Sequence, residues 1–410
     1  MPSLAEDLAT WAIRLQPTEQ DLALADHALR DTVAVALAAR NHPMAALAGS
    51  LPEAARWAAV SHVLDFDDLH LPSTAHISVV TVPATLAAGG DARAYLAGAG
   101  VMARLGTALG WQHYTSGWHA TCTSGAPAAA VAAGVAMGLD APAIAHAIAL
   151  ALPAAGGVQR AFGTDTKSLQ VGFAAEAGVR AARLAAAGAG SDPTALDAWL
   201  PLVGGDSSAL DLSGPAVPGG LATKIFPCCY AMQRPIGAVR ALFDGPVDPE
   251  QVARITVRTP EAAVHPLIHH VPQTGLQGKF SLEYAVAATL IDHHPGFASF
   301  TDAQVRRPQA QQLSGLVETV FAGEGSGLLT GSTTVEVELT DGTVHTAVLE
   351  LLPGSPELPA TDEEFAAKLA DCGADVPGLL GGIDWKSAAE LLRSAFPSTT
   401  HPASTTEETK

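Results

Sequence analysis

Residues 125–158 read GAPAAAVAAGVAMGLDAPAIAHAIALALPAAGGV, which is the most apolar stretch of this 410-residue chain. Alanine supplies most of it, and Asp140, Pro142, His146 and Pro153 interrupt it. A membrane-spanning helix needs ~20 strongly apolar residues, and alanine is too weakly hydrophobic to provide them. The stretch therefore predicts buried helices of a soluble protein that has no membrane partner.

Helical apolar spacing continues on both sides of this stretch, from Leu4 to about Arg240. The residues Ser3-Leu4-Ala5-Glu6 predict a capping box at the start of the first helix. No comparable run of alternating β-branched residues occurs in this part. We therefore predict an all-helical domain over residues 1–240, with helices near 21–40, 92–110, 125–137, 141–152 and 169–187.

The pattern changes to strands after residue 245. Residues 253–258 alternate with period two, as a half-buried strand does. Two further alternating runs flank Asp341-Gly342, a dipeptide typical of a β-hairpin turn, and residues 281–292 have helical spacing. These signals predict a smaller α+β lid domain over residues 241–358.

The chain returns to a helical pattern after the lid. We predict that residues 359–397 complete the helical domain and that the Ser/Thr/Glu-rich tail, 398–410, is disordered. The predicted fold class is thus mainly α, a large all-helical domain with a smaller α+β lid domain.

The composition excludes several classes of protein. The chain has 41 acidic and 22 basic residues and a formal net charge of -19, with 48% hydrophobic and 15% charged residues. So apolar a chain is not intrinsically disordered. A nucleic-acid partner is also excluded, because phosphate neutralisation requires clustered Lys and Arg. The same charge argues, at first sight, against an anionic substrate.

The N-terminus and the cysteines indicate a cytoplasmic protein. The first residues carry acids where a signal peptide has a basic start. None of the four cysteines forms a C-x-x-C pair, and no Cys/His spacing fits zinc or an iron–sulfur cluster. We predict free thiols, no metal and a cytoplasmic location, and we leave the role of Cys228 and Cys229 open.

Lysine is rare in this chain, and its positions are informative. Only six of the 22 basic residues are lysine, and Lys167, Lys224 and Lys279 lie in similar small turns that contain Gly or Thr. Lysine is a compact charge that can lose its proton when buried, unlike Arg. The pattern favours carboxylate-binding or proton-transfer groups, with ordinary surface lysines as the alternative.

Three histidines and three acids fall within residues 62–76, HVLDFDDLHLPSTAH. The Asp65-Phe66-Asp67-Asp68 run could hold a divalent metal, but it lacks the companion ligands and the glycine of a calcium loop. The favoured interpretation is that the acids cap the following turn and orient histidines, as a base and its orienting group require. A polar surface turn is the alternative.

A third cluster, residues 117–125, places His119 beside the hydroxyl of Thr121, directly before a buried helix. A helix N-terminus favours anions, although a lone histidine in such a place is often a core residue. The chain contains no nucleotide-binding glycine loop and no Gly-x-Ser-x-Gly elbow, and we predict no cofactor. The inventory suits proton abstraction next to a carboxylate.

Six segments, taken together, resemble the MmgE/PrpD family, which includes 2-methylcitrate dehydratase, cis-aconitate decarboxylase and iminodisuccinate epimerase. They run in family order from residue 62 to residue 369 and cover most of the chain. The segments are HVLDFDDLHLPSTAHIS, GWHATCTSGAPAAAVAAGVAMGL, GTDTKSLQVGFAAEAGVRAARLAAAG, KIFPCCYAMQRPIGA, GKFSLEYAVAATLID and GSPELPATDEEFAAKL.

The resemblance implies an active site in the cleft between a helical domain and a lid, metal-independent chemistry and a homodimer. It implies His76 as the leading base or proton donor. The expected catalytic residues are His76, Asp65, Lys167, Lys224 and Tyr284. The expected substrate-binding residues are His119, Asp68, Thr121 and Lys279.

Two departures from the family pattern bear on the substrate. Leu69 replaces the threonine that cis-aconitate decarboxylases carry after DFDD, and Asp165 adds a negative charge beside Lys167, which could weaken binding of a tricarboxylate. The leading hypothesis is a cofactor-independent hydro-lyase acting on a hydroxylated di- or tricarboxylate. The alternatives are an epimerase or isomerase of a dicarboxylate, a cis-aconitate-type decarboxylase, and a non-catalytic carboxylate-binding scaffold.

Overall fold

The computed structural model describes residues 2–323 and 329–399, and this part of the chain is mainly helical. Most of the predicted 398–410 tail lies outside the described residues. The helices are α1 (Leu4–Arg14), α2 (Glu19–Ala38), α3 (Pro43–Leu47), α4 (Glu53–His62), α5 (Ser78–Ala87), α6 (Ala92–Thr115), α7 (Ala120–Ala136), α8 (Ala141–Ala151), α9 (Asp165–Ala186), α10 (Ala195–Leu202), α11 (Gln233–Leu242), α12 (Gly275–Gly278), α13 (Leu282–Asp292), α14 (Asp302–Val305), α15 (Pro308–Ser314), α16 (Asp362–Asp371), α17 (Val376–Leu379) and α18 (Trp385–Ala395). The strands are β1 (Val252–Thr259), β2 (Val317–Phe321), β3 (Thr333–Leu339) and β4 (Val344–Leu349).

Helix α7 lies at the centre of the helical part. It packs against α5, α6, α8 and α9, and its residues from Ala120 to Val135 are all buried. A helix that is apolar all round is stable only when surrounded in this way. Small side chains let the neighbouring helices approach closely, so that a Cβ on Gly178 of α9 would overlap Ala129. The alanine-rich stretch thus forms the buried helices that the sequence predicts.

The four strands form one mixed sheet in the order β2-β1-β3-β4. Strand β1 pairs in parallel with β2 and antiparallel with β3, and β3 pairs antiparallel with β4. The inner face of the sheet, with Val257 and Val335, joins α11 and α13 in a second hydrophobic core. The mainly helical fold with a smaller α+β part is therefore confirmed.

One strand was missed and one local prediction was wrong. Strand β2 was not predicted, because its five residues, VETVF, do not alternate regularly between apolar and polar. Lys167 does not lie in a turn but in the first turn of helix α9, which begins at Asp165.

The helices after residue 361 return to the first core, where Val376 and Leu392 pack with the N-terminal helices. We therefore propose the domain division expected from the sequence, with 241–358 as the lid and 359–397 completing the helical part. Thr399, the last described residue, donates its backbone N–H to the carbonyl of Gly49 at 2.9 Å.

We expect Gly354→Ala to destabilise the protein by at least about 1 kcal/mol, because its φ of +78° disfavours a side chain. A Cβ there would also overlap the carbonyl oxygen of Thr223, whose backbone N–H donates to the Gly354 carbonyl at 2.8 Å. Urea unfolding measures the change. Gly342→Ala is the matched control, because Gly342 has a φ of +86° but open space around it. An equal loss in both variants would show that backbone strain alone acts at Gly354.

Candidate active site

Three buried lysines from separate parts of the chain hold the turn between α4 and α5. Each Nζ donates a hydrogen bond to one of three successive carbonyl oxygens: Lys279 to Leu64 at 2.6 Å, Lys224 to Asp65 at 2.8 Å and Lys368 to Phe66 at 2.7 Å. At the middle of this turn, Asp65 has a φ of +53°, which costs roughly 1–2 kcal/mol for a non-glycine residue. The three hydrogen bonds therefore fix a strained backbone and aim the side chain of Asp65.

The side chain of Asp65 lies between two ammonium groups. Its Oδ1 is 2.5 Å from Nζ of Lys167, and its Oδ2 is 3.2 Å from Nζ of Lys224. Burial alone would raise the pKa of Asp65, but the two ammonium groups outweigh it and hold this pKa well below its usual value. Asp65 is therefore a carboxylate at all physiological pH values, and it balances part of the positive charge of the site.

Asp67 orients two histidines through one oxygen. Its Oδ2 lies 2.9 Å from Nδ1 of His62 and 2.6 Å from Nδ1 of His76. Burial would raise the pKa of Asp67, but its contacts with the two rings lower it well below the usual value. Nδ1 of His62 donates a hydrogen bond to this carboxylate oxygen, which only accepts. Nδ1 of His76 is in ion-pair contact with the same oxygen, and we infer that it also carries a proton, because a lone pair there would face an anion.

The other ring nitrogens of these two histidines differ. Nε2 of His62 accepts from Nζ of Lys167 at 2.8 Å, so both of its nitrogens are engaged. His76 lies at the wall of a cavity, and with Nδ1 protonated its Nε2 has a lone pair available there. Burial lowers the pKa of His76, an effect that Asp67 opposes only in part. His76 is thus arranged as a neutral base.

The cavity next to His76 is largely enclosed and has a free volume of about 30 Å³, which is room for one water molecule. Four of the predicted site residues line it, namely Asp65, His76, His119 and Lys167. It is also lined by Leu69, Thr74, Tyr114, Phe162, Cys229, Tyr230, Ala231, Pro266, Phe280 and Leu329. Residues from the segment that we assign to the lid therefore close over the histidines.

Helix termini contribute to the electrostatics of this cavity. His119 is the N-cap of α7, and Lys167 lies in the first turn of α9. His76 precedes the first residue of α5 by two positions. The N-terminal ends of three helices therefore meet near the cavity, and each brings a partial positive charge.

The other five predicted site residues do not line the cavity, and each has contacts elsewhere. Lys224 is fully buried behind Asp65. Lys279 donates to the carbonyl oxygens of Leu64 and Pro227, and burial lowers its pKa to about 8. Thr121 accepts a hydrogen bond from the backbone N–H of His76 at 3.0 Å. These three residues therefore position the site, although the sequence suggested direct contact with the substrate.

Tyr284 and Asp68 also lie away from the cavity. The hydroxyl of Tyr284 donates to the carbonyl of Ser299, and its ring packs in the second core. Asp68 accepts the backbone N–H of Ser78 at 3.2 Å at the start of α5, which agrees with the expectation that acids cap the following turn. Asp165, expected to affect substrate charge, is exposed to solvent.

Sequence reasoning missed individual roles for His62 and Asp67, although both belong to the cluster that it singled out. The available signal was the alternation in Asp65-Phe66-Asp67, which places Phe66 in the core and sends the two acids to the opposite side. The aromatic wall formed by Tyr114 and Phe162 carried no signal, because isolated aromatic residues are usually core.

Among the described residues, one group could supply the ligand atoms of a metal ion. It consists of His62, Asp67 and His76, whose ligand atoms lie within 4.8 Å of one another. Both Nδ1 atoms, however, already point at the same Asp67 oxygen. Metal-independent chemistry remains a prediction, and activity after chelator treatment tests it.

Comparison with known proteins identifies the family. The N-terminal domain of MmgE/PrpD proteins matches residues 51–199, and their C-terminal domain matches residues 226–378. The chain belongs to the MmgE/PrpD family. The two matched ranges contain the three histidines and the lysines at 167, 279 and 368, and Lys224 lies two residues before the second range.

Among MmgE/PrpD proteins, the chain is similar to cis-aconitate decarboxylases. It is 26% identical to the Homo sapiens enzyme over 295 residues, which cover 67% of this chain and 59% of that enzyme. It is 24% identical to an Aspergillus terreus enzyme over 348 residues, 74% of this chain and 70% of that enzyme. The family includes dehydratases and decarboxylases, which supports an enzyme. Among the described residues, no helix combines the length and apolarity needed to cross a bilayer.

We expect Asp68→Asn to stabilise the protein more at pH 7 than at pH 5. Burial, aided by Asp31, raises the pKa of Asp68 from 3.8 to about 7. At a pH between 3.8 and about 7, the unfolded chain has released this proton while the folded state keeps it. Wild-type stability therefore falls as the pH rises. Asparagine avoids this loss, and the advantage should widen by roughly 2–3 kcal/mol between pH 5 and pH 7.

Urea unfolding of both proteins across this pH range measures the difference. Asp206→Asn is the control, because Asp206 is exposed and hydrogen bonds from Ser208 lower its pKa, so its effect should stay constant above pH 5. A stability difference for Asp68→Asn that does not change with pH would contradict the assignment.

Proposed function

We propose that this protein is a cofactor-independent lyase in which His76 moves a proton at the carbon next to a carboxylate of a small di- or tricarboxylate. The observation that carries the proposal is the pairing of His76 Nδ1 with Asp67 at 2.6 Å. It leaves the Nε2 lone pair of His76 at a cavity that Lys167 also lines. A base and a cation facing the same space suit removal of an α-proton from a carboxylate. A cavity of about 30 Å³ does not hold a di- or tricarboxylate, so the proposal requires the cavity to widen when substrate binds.

Several groups favour an anionic substrate despite the net charge of -19. Two of the three hydrogens of the Lys167 ammonium are used by Asp65 and His62, and the third is available to a substrate oxygen. The helix N-termini at His119 and Lys167 add partial positive charge. Aromatic rings of Phe162 and Phe280 lie 5.8 and 5.2 Å from the Lys167 nitrogen, and they exclude water from this ion.

The first reaction that we propose is elimination of water from a hydroxylated substrate. His76 Nε2 takes the α-proton, and the electron pair of the C–H bond delocalises into the adjacent carboxylate. That pair then forms the double bond as the β-hydroxyl leaves as water, taking its proton from the imidazolium of His76, which returns to the neutral form. The lowered pKa of His76 supports this direction, because the reaction requires a neutral imidazole at the start.

A second candidate is decarboxylation, which the similarity to cis-aconitate decarboxylases supports. In that reaction a C–C bond to a carboxylate breaks, carbon dioxide leaves, and the imidazolium of His76 gives its proton to the carbon that keeps the electron pair. Leu69 is an argument against it, because this apolar side chain lines the cavity where the decarboxylases are expected to carry a threonine. An epimerase would return the proton to the opposite face.

The active form that we propose is a cytoplasmic homodimer, as the family resemblance implies. Sedimentation equilibrium of the purified chain tests the dimer, for which we expect about twice the chain mass of 41.7 kDa. A monomer that retains full activity would contradict this part of the proposal.

We expect His76→Asn to lower turnover about 10²- to 10⁴-fold, the usual contribution of a positioned acid or base. Chelator-treated protein is incubated with 2-methylcitrate, citrate, cis-aconitate and related acids in deuterium oxide, and NMR follows alkene formation, carbon dioxide loss and deuterium incorporation. His345→Asn is the control, because His345 lies on strand β4. Folded wild-type protein without turnover or exchange on any of these acids would refute the proposal.

The pH profile separates the two candidate reactions. In elimination, kcat/KM increases with pH through the pKa of His76 and is level above it, because the neutral ring is the active form. In decarboxylation it decreases over the same range, because the protonated ring is required. Burial lowers this pKa below its usual 6.5, so we expect the change on the acid side of pH 6.5.

A further inference from the structure

Gln170 of helix α9 contacts His119, and its orientation is fixed by the backbone of Val158. The Val158 N–H donates to Oε1 of Gln170 at 3.0 Å, and Nε2 of Gln170 donates to the Val158 carbonyl at 3.3 Å. Rotating the amide by 180° would place its nitrogen against the Val158 N–H and its oxygen against the Val158 carbonyl. Hydrogen bonding therefore determines which position the amide oxygen and nitrogen occupy. The amide nitrogen therefore faces His119.

This orientation determines which nitrogen of His119 carries the proton. Nε2 of Gln170 lies 2.8 Å from Nδ1 of His119, and an amide nitrogen only donates. Nδ1 must therefore offer its lone pair, and the proton of the neutral ring resides on Nε2. The Cys122 thiol, 3.3 Å from the same Nδ1, is a second donor, since burial raises its pKa and keeps it protonated.

We propose that Gln170 is a positioning residue that holds His119 as a neutral ring with its proton on Nε2, so that His119 donates a hydrogen bond into the cavity and cannot act as a base. This inference rests on the proposed function only for the identity of the acceptor, which is a substrate carboxylate oxygen.

The charged and titratable groups around His119 act in the same direction. Burial lowers the pKa of His119, and the ammonium of Lys167 lowers it further, followed by His62 and His76; Asp65 alone opposes them. Protonation of the ring would also place an N–H at Nδ1 against the donor of Gln170. His119 consequently remains uncharged through neutral pH.

The two histidines that line the cavity therefore present opposite groups to it: His76 an acceptor lone pair, and His119 a donor N–H. A carboxylate oxygen of Asp67, 2.6 Å from Nδ1 of His76, favours a proton on that nitrogen and leaves a lone pair toward the cavity. An amide, Gln170, donates to Nδ1 of His119 and leaves an N–H toward the cavity. A base on one side and an uncharged donor on the other match the removal of a proton and the negative charge that this removal places on carboxylate oxygens.

The test reads the tautomer directly. The full-length protein is labelled with ¹⁵N-histidine, and two-bond ¹H–¹⁵N correlation spectra are recorded from pH 5.5 to 8.5, with His119 assigned by the signal lost in His119→Asn. We expect a neutral ring protonated on Nε2 at every pH. A ring protonated on Nδ1, or doubly protonated at pH 7, would overturn the proposal without any need for an activity measurement.

Two Gln→Glu variants test whether Gln170 determines the protonation of His119. In Gln170→Glu, the introduced carboxylate only accepts, so we expect His119 to gain a proton on Nδ1 and to titrate within the measured range. Gln159→Glu is the matched control, because the side-chain amide of Gln159 donates to the carbonyls of Tyr114 and Trp118 and not to the His119 ring. An unchanged His119 signal in Gln170→Glu contradicts the role of Gln170.

Activity measurements provide an independent test of the role of Gln170. If the proposed function is correct, Gln170→Glu should slow α-proton exchange at least ~10-fold and add a second ionisation to the pH profile, while Gln159→Glu keeps the single ionisation of the wild type. If the wild type shows no turnover on any acid but has the expected tautomer, the proposed function fails and the assignment of Gln170 stands. If Gln170→Glu does not fold, the wild-type spectrum alone decides the tautomer.

Discussion

The hydrogen bonds from three buried lysines to three successive carbonyl oxygens, those of residues 64–66, are the constraint on which the site depends. A turn with a non-glycine residue at positive φ is unstable on its own, and burying three ammonium groups costs free energy unless each finds acceptors. The carbonyl oxygens of the turn supply acceptors for the ammonium groups, and the ammonium groups hold the turn in its strained conformation. Lys224 precedes the lid segment, Lys279 lies within it, and Lys368 belongs to helix α16 of the C-terminal segment. The turn thus joins the N-terminal helices, the lid segment and the C-terminal segment at one point, and it places Asp65 and Asp67 beside the cavity.

The charges in and around the cavity explain why an acidic protein can be proposed to bind an anion. Asp65 and Asp67 are opposed by Lys167 and Lys224, and Lys279 lies directly behind them. The local charge is therefore close to neutral or slightly positive, while the excess acids are spread over the surface. Bulk charge determines solubility and long-range steering, and the nearby field determines binding. The composition argument against anionic substrates fails for this reason.

Sequence reasoning predicted the fold more completely than the site. Helices α2, α6, α7, α8, α9 and α13 and three of the four strands follow from apolar spacing and turn residues, because these depend on neighbours along the chain. Of nine expected site residues, four line the cavity. Asp68 and Tyr284 bond backbone groups 10 and 15 positions away. The partners of Lys224, Lys279 and Thr121 at the site lie 45 to 215 positions away in the chain. No local pattern reports such a partner, and for the same reason Gln170 carried no signal.

The sequence by itself determined that alanine-rich helices bury a large core, that a small sheet follows them, and that lysines, acids and histidines gather in a few segments. Local propensity and burial decide those features. Only the tertiary structure decided which lysine faces the cavity and which nitrogen of each histidine carries a proton. Those properties depend on hydrogen bonds of about 3 Å between atoms up to 302 positions apart in the chain. A shift of one ångström would change them while leaving the helical pattern intact.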